Sequence, residues 1–370
     1  MTQRERFRRV MDFQPVDRVP NYELCCWGQT LARWEAEGMP RDLNMNFFEG
    51  EPYFGLERRG FVYLNIFLDP PFAYEVLEED ERYIVARYED GSVTRALKEG
   101  TVRGTRPSMD QHLSHPVTDR ASFEEMKQRY DPRLRTRYPQ PWFDEWARLW
   151  QTRDYPLFLL GNGTFGLYSW LRRWCGTEGI SYLFYDEPEL VEEMLDFAVD
   201  FLLELVEPAL QQVECDAFNY FEDFAGKGGP LISPEIFNKF FLKRYQRINE
   251  RFNRAGIKHI WLDSDGETWQ IIPLLMEAGI TCHWPLERAS GMDPREVRKR
   301  FPGLALAGGI DKRELTKDRK AIEDELYSLL PPMLESGGYL PILDHAFPPD
   351  ISYVNFLYYL EVKEKLLQTG

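Results

Sequence analysis

Eight short runs of apolar, β-branched or aromatic residues recur along this chain, each closed by turn residues. They occupy residues 19–24, 61–67, 156–160, 216–221, 257–262, 280–284, 304–307 and 339–343. Most of the segments between them carry helical signals. Residues 188–210 place apolar side chains at a 3–4 spacing, and Ser233-Pro234 has the form of an N-cap followed by proline in the first turn. Ser352 can cap a last helix over 354–367. Strand–helix units in series imply a parallel sheet, and eight of them suggest closure. The expected fold class is therefore α/β, a single (β/α)8 TIM barrel.

One stretch breaks the rhythm. Residues 74–97 alternate polar and apolar side chains around Asp90-Gly91, which signals an antiparallel hairpin. It is expected as an insertion after the second strand, followed by an irregular stretch to about Ser122 and a helix over 142–150. No Pro-, Gly- or Ser-rich linker divides the chain, so one domain is expected over 1–370, with the insertion at about 70–125.

Composition narrows the function classes. At 43% hydrophobic and 29% charged residues, disordered and low-complexity classes are excluded. Acidic residues outnumber basic ones, 61 to 45, for a net charge of −16. Such a charge repels phosphate backbones and anionic lipid, so neither nucleic acid nor membrane is expected as a partner. Apolar runs fall far short of the ~20 residues of a membrane span, and MTQRERFRRVMDF is charged where a signal peptide is apolar. A cytoplasmic location is expected. Cys25, Cys26, Cys175, Cys215 and Cys282 are odd in number and lack zinc-ribbon spacing, so reduced thiols are expected.

In such a barrel the strand ends carry the chemistry. The fifth run leads into Asp263-Ser264-Asp265-Gly266, the sixth into Leu286-Glu287, the seventh into Gly308-Gly309-Ile310-Asp311-Lys312 and the eighth into Asp344-His345. The fourth leads into Glu222-Asp223. Carboxylates crowded at one mouth raise each other's pKa values or bind a cation. Asp before Gly is also ordinary turn chemistry, and His259 and His283 read as structural. Gly308-Gly309 lacks the pattern of a phosphate loop and reads as tight packing at the rim. Tyr168, Trp170, Trp261 and Trp284, with Asp223, are the candidate substrate-binding residues; core packing accounts equally well for the aromatic ones.

Several motifs in order carry a resemblance. RERFRRVMDFQPVDRVP at 4–20, GPLISPEIFNKFF at 229–241, GGIDKREL at 308–315 and DHAFPPDISYVNFLYYL at 344–360 resemble members of the uroporphyrinogen decarboxylase superfamily, which includes corrinoid-linked methyltransferases. The likeness runs over nearly the whole chain and implies a (β/α)8 barrel. It also implies positions for a metal: the zinc ligands of the methyltransferase branch fall on Asp263, Asp265 and His345, and the additional glutamate of methionine synthases falls on Glu287. Carboxylates in place of thiolates make the expected site hard, favouring Mg²⁺, Mn²⁺, Fe²⁺ or an oxygen-rich Zn²⁺ site. Without metal, the same four residues form an acid–base centre with His345 as proton partner.

The decarboxylase branch grips substrate propionates with arginines after the first strand. Here residues 20–32 contain none, and Arg33 is the nearest. The histidine of that branch does match His345. The expected function is thus methyl transfer of the corrinoid-linked demethylation type, or a related C–O or C–C cleavage on a small organic substrate. Uroporphyrinogen decarboxylase activity is one alternative, and a non-catalytic barrel that binds a ligand or a corrinoid protein is another. The partners considered are the substrate, a corrinoid protein supplying that cofactor and a second copy in a homodimer.

Overall fold

A computed structural model describes residues 1–106, 109–139, 141, 145–161 and 163–368. Its strands, in chain order, are β1 (Gly60–Val62), β2 (Glu75–Glu79), β3 (Tyr83–Arg87), β4 (Val93–Leu97), β5 (Gln111–Ser114), β6 (Leu157–Leu159) and β7 (Ala217–Phe221). They continue with β8 (Ala225–Gly226), β9 (Gly229–Pro230), β10 (His259–Asp263), β11 (Cys282–Trp284), β12 (Ala305–Ala307) and β13 (Tyr339–Leu340). Seven of them form one parallel sheet in the order β1-β6-β7-β10-β11-β12-β13. Apolar runs buried on both faces are what such a sheet demands.

The sheet is curled. Phe61, Phe158, Ala217, Trp261, Cys282, Ala305 and Leu340, one from each strand, share a single inner cluster with Tyr22 and Leu24. On β10, alternation sends Trp261 inward, while Ile260 and Leu262 join the outer cluster under the helices. That outer layer includes the helices Leu167–Asp186 and Pro188–Gln212. Ser233 caps its helix by accepting from the Ile236 amide, and Ser352 caps Tyr353–Leu367 by accepting from Asn355, as expected.

The run at 19–24 departs from expectation. It is buried but forms no ladder, and side chains take up several of its backbone groups. Glu57 Oε1 accepts from the Asn21 amide, and Arg59 donates to the Glu23 carbonyl. The stretch nonetheless lies beside both edges of the sheet. The Asn21 carbonyl accepts from Glu57 N just ahead of β1, and Cys26 pairs in parallel with Phe347 beyond β13.

The insertion is larger than one hairpin. β2, β3, β4 and β5 form a separate antiparallel sheet in that order. The Asp90-Gly91 turn joins β3 to β4, with Arg87 opposite Val93. A second turn at 80–82 adds β2: Asp80 accepts from the Arg82 and Tyr83 amides. Of the expected helix at 142–150, residues 142–144 lie outside the described residues, and helix runs over Ala147–Gln151.

Candidate active site

β10 delivers Asp263 at its last position and hands the chain to a loop held in place by Gly266. That glycine has φ +82°, and a Cβ on it would lie 2.6 Å from the Ala225 carbonyl, so the loop seats directly on β8. Glu267 N donates to the Gly226 carbonyl at 2.9 Å. Thus fixed, Asp265 turns its carboxylate into the mouth, where Oδ2 lies 3.6 Å from His345 Nε2. Burial raises the Asp265 pKa; His345 and Lys312 oppose the rise, while Glu287 and Asp223 add to it.

Glu287 approaches from the loop after β11. Its Oε2 accepts from Gly266 N at 3.3 Å and from Ser290 Oγ at 2.9 Å. Its Oε1 lies 3.9 Å from Lys312 Nζ. The same ammonium is 3.6 Å from Asp344 Oδ1, and Asp344 also accepts from the amides of Arg288 and Lys312. Burial raises the pKa of Asp344, and Lys312 opposes it. Lys312 therefore stands as a cation between the carboxylates of Glu287 and Asp344. The sequence places it at a strand end, but nothing in the sequence pattern gives it this role.

The four expected residues divide. Asp265, His345 and Glu287 share one electrostatic neighbourhood. Asp263 is buried one step deeper, where its charge raises the pKa of the half-buried Cys25 thiol, after burial itself. Among the described residues, no three His, Cys, Asp or Glu side chains are grouped so as to hold a metal ion. Glu287 is committed to a backbone amide, a serine hydroxyl and a lysine, so the arrangement does not fit the four-ligand metal set.

The candidate substrate residues divide too. Asp223 reaches the mouth, 3.5 Å from Arg172. Trp261 and Trp284 lie inside the sheet with ring centroids 6.0 Å apart, and Trp284 Nε1 donates to Asn219 Oδ1 at 2.8 Å. Trp170 belongs to the outer core against Phe165 and Tyr130. Tyr168 is buried, stacks on Phe224 at 5.6 Å and has an unpartnered hydroxyl.

Glu222, at the end of β7, carries more than the sequence suggests. Its fully buried carboxylate accepts from the Tyr168 and Ser169 amides at the start of the helix Leu167–Asp186 and from the Tyr245 hydroxyl. Burial nonetheless lifts its pKa to about 7. His283 is structural, bonded to Thr268 at 2.9 Å and pushed down to about 4 by burial. Gly308 is a packing glycine, since a Cβ there would lie 2.0 Å from the Pro285 carbonyl oxygen.

A curled parallel sheet with ionisable groups gathered where its strands end places the chain in the barrel-type α/β class. Its family is more specific: the chain belongs to the uroporphyrinogen decarboxylase (URO-D) family, whose model matches residues 111–365. A solved methyltransferase from Methanosarcina mazei has a similar fold, with a TM-score of 0.58 at 14% identity over 99% of each chain. No curated protein matches the chain.

Proposed function

We propose that this chain catalyses methyl transfer, or a related C–O or C–C cleavage, on a small organic substrate at the mouth of a closed barrel in which residues 19–24 stand as the eighth stave beside the seven strands. The observation that carries the reading is the Asp265–His345 contact beside Lys312. Asp265 in its protonated form gives its proton to the leaving oxygen or carbon of the substrate, and His345 restores it. Lys312 offsets the charge of Glu287 and Asp344 so that proton transfer, not repulsion, governs the site. The corrinoid protein expected from the resemblance is the methyl acceptor in this reading.

Tetrapyrrole decarboxylation is disfavoured on charge. Arg33 is held by Glu37 and the Pro349 carbonyl, each at 2.7 Å. A polyanionic substrate would meet Asp223, Asp265 and Glu287, while the cations beside them, Arg172 and Lys312, are already engaged by Asp223 and by Glu287 and Asp344. The test supplies the purified chain with a reduced corrinoid protein and a panel of methoxylated, methylamino and methylthio compounds, and follows the corrinoid's visible spectrum. Methylation that falls at least ~100-fold in Asp265→Asn supports the reading. Coproporphyrinogen formation from uroporphyrinogen at ordinary enzyme rates would replace it with the decarboxylase, and calorimetric binding without turnover with a binding barrel.

A further inference from the structure

The interior of the sheet below the mouth buries a cation whose hydrogen bonds are incomplete. Arg59, just ahead of β1, is 2% exposed. It donates to the Glu23 carbonyl at 2.6 Å, and its guanidinium lies over the Tyr22 and Phe48 rings at 4.6 and 4.9 Å. Its Nε has no hydrogen-bond partner. Among the described residues, Glu23 is the carboxylate that bears on it. That carboxylate is already engaged by the buried ammonium of Lys363, by the Tyr359 hydroxyl and by the Leu343 amide. Arg59 thus shares its carboxylate with a second buried cation and makes no ion pair of its own with it, which is costly away from water.

Arg59 lines a narrow cavity of about 10 Å³ together with Asn219, Trp261, Trp284 and a wall of phenylalanines. Trp261 is 1% exposed, and its Nε1 is a second donor with no partner. The Trp284 donor is satisfied by Asn219. What the cavity lacks is an acceptor, and one bearing negative charge would satisfy both N–H groups and give Arg59 a counter-charge that it does not share with Lys363. The space matches a single water-sized particle. It is too small for carboxylate, phosphate or sulfate.

We propose that the barrel interior holds one halide ion, chloride under physiological conditions, between Arg59 and Trp261, as a structural ligand that neutralises the guanidinium. The proposal stands apart from the reading of the mouth, since neither residue takes part in it. The test has two arms. Crystals grown in bromide should show an anomalous difference peak within hydrogen-bonding distance of Trp261 Nε1 and Arg59 Nε. In solution, thermal midpoints are compared in sodium chloride and sodium gluconate at equal ionic strength. The wild type should melt higher in chloride. Trp261→Phe, which keeps a ring and deletes the donor, should lose at least half of that increment, and Arg59→Met all of it. Water alone at the position, or equal increments in wild type and Trp261→Phe, would overturn the proposal even if Arg59→Met does not fold.

Discussion

His345 Nε2 stands 3.6 Å from Asp265 Oδ2 across the mouth, joining the loop after β13 to the loop after β10. The two groups come from positions far apart in the chain, and the proposed proton transfer rests on their contact. If they act as the proposed pair, Asp265→Asn and His345→Gln should each lower turnover by roughly 10²-fold or more. The double variant should fall little further. Additive losses in a double-mutant cycle would show that the two work separately.

Lys312 opposes the upward shift of Asp265. In Lys312→Met that opposition is gone, so Asp265 keeps its proton to higher pH. If protonated Asp265 is the acid, the alkaline limb of kcat/KM moves to higher pH, with a lower plateau from the unbalanced carboxylates. A pH profile unmoved by the substitution would separate Lys312 from the reaction.

Glu222 gives a stability prediction with a definite sign. Its folded-state pKa of about 7 exceeds the ordinary 4.5, so the folded chain keeps a proton that the unfolded chain releases. Its contribution is complete below pH 4.5, declines as pH rises toward 7 and is flat above. A shift of this size corresponds to roughly 3 kcal/mol. Denaturant titrations of Glu222→Gln should lack that decline, while an unchanged pH dependence would place the proton elsewhere.

Gly308→Ala tests the rim. Its φ of +94° and the Pro285 oxygen 2.0 Å from a Cβ both oppose the methyl group. A loss of roughly 3–5 kcal/mol is expected, read as a depressed thermal midpoint or insoluble protein. Gly303→Ala, with nothing within 4 Å of its Cβ, is the control and should melt close to wild type.

The strands were legible in the sequence wherever an apolar run is buried on both faces, as at 216–221 and 257–262. The run at 19–24 has the same composition, but its ladder partners are side chains from Glu57 and Arg59, and no local pattern announces those. The insertion's turn at Asp90-Gly91 is a local signal and was readable; the added strand β2 rests on Asp80, an aspartate like many others. In the mouth, strand-end position indicates which carboxylates gather. It does not indicate which lysine joins them, because Lys312 reaches Glu287 across loops whose course depends on the packing of Gly266 and Gly308. Asp263 and Asp265 differ for the same reason: one ends a strand, the other rides a loop.

The seat of Gly266 on β8 makes the short β8–β9 hairpin a support for the site. Lys227 and Gly228 form its solvent-facing tip, and its inner strand touches the backbone that carries Asp265. A Cβ at Gly266 has no room, and Glu267 N donates to the Gly226 carbonyl, so the hairpin and the loop are packed backbone to backbone. A side chain at position 266 would therefore have to push apart the hairpin and the loop that carries Asp265, so the smallest residue in the chain fixes where that carboxylate stands.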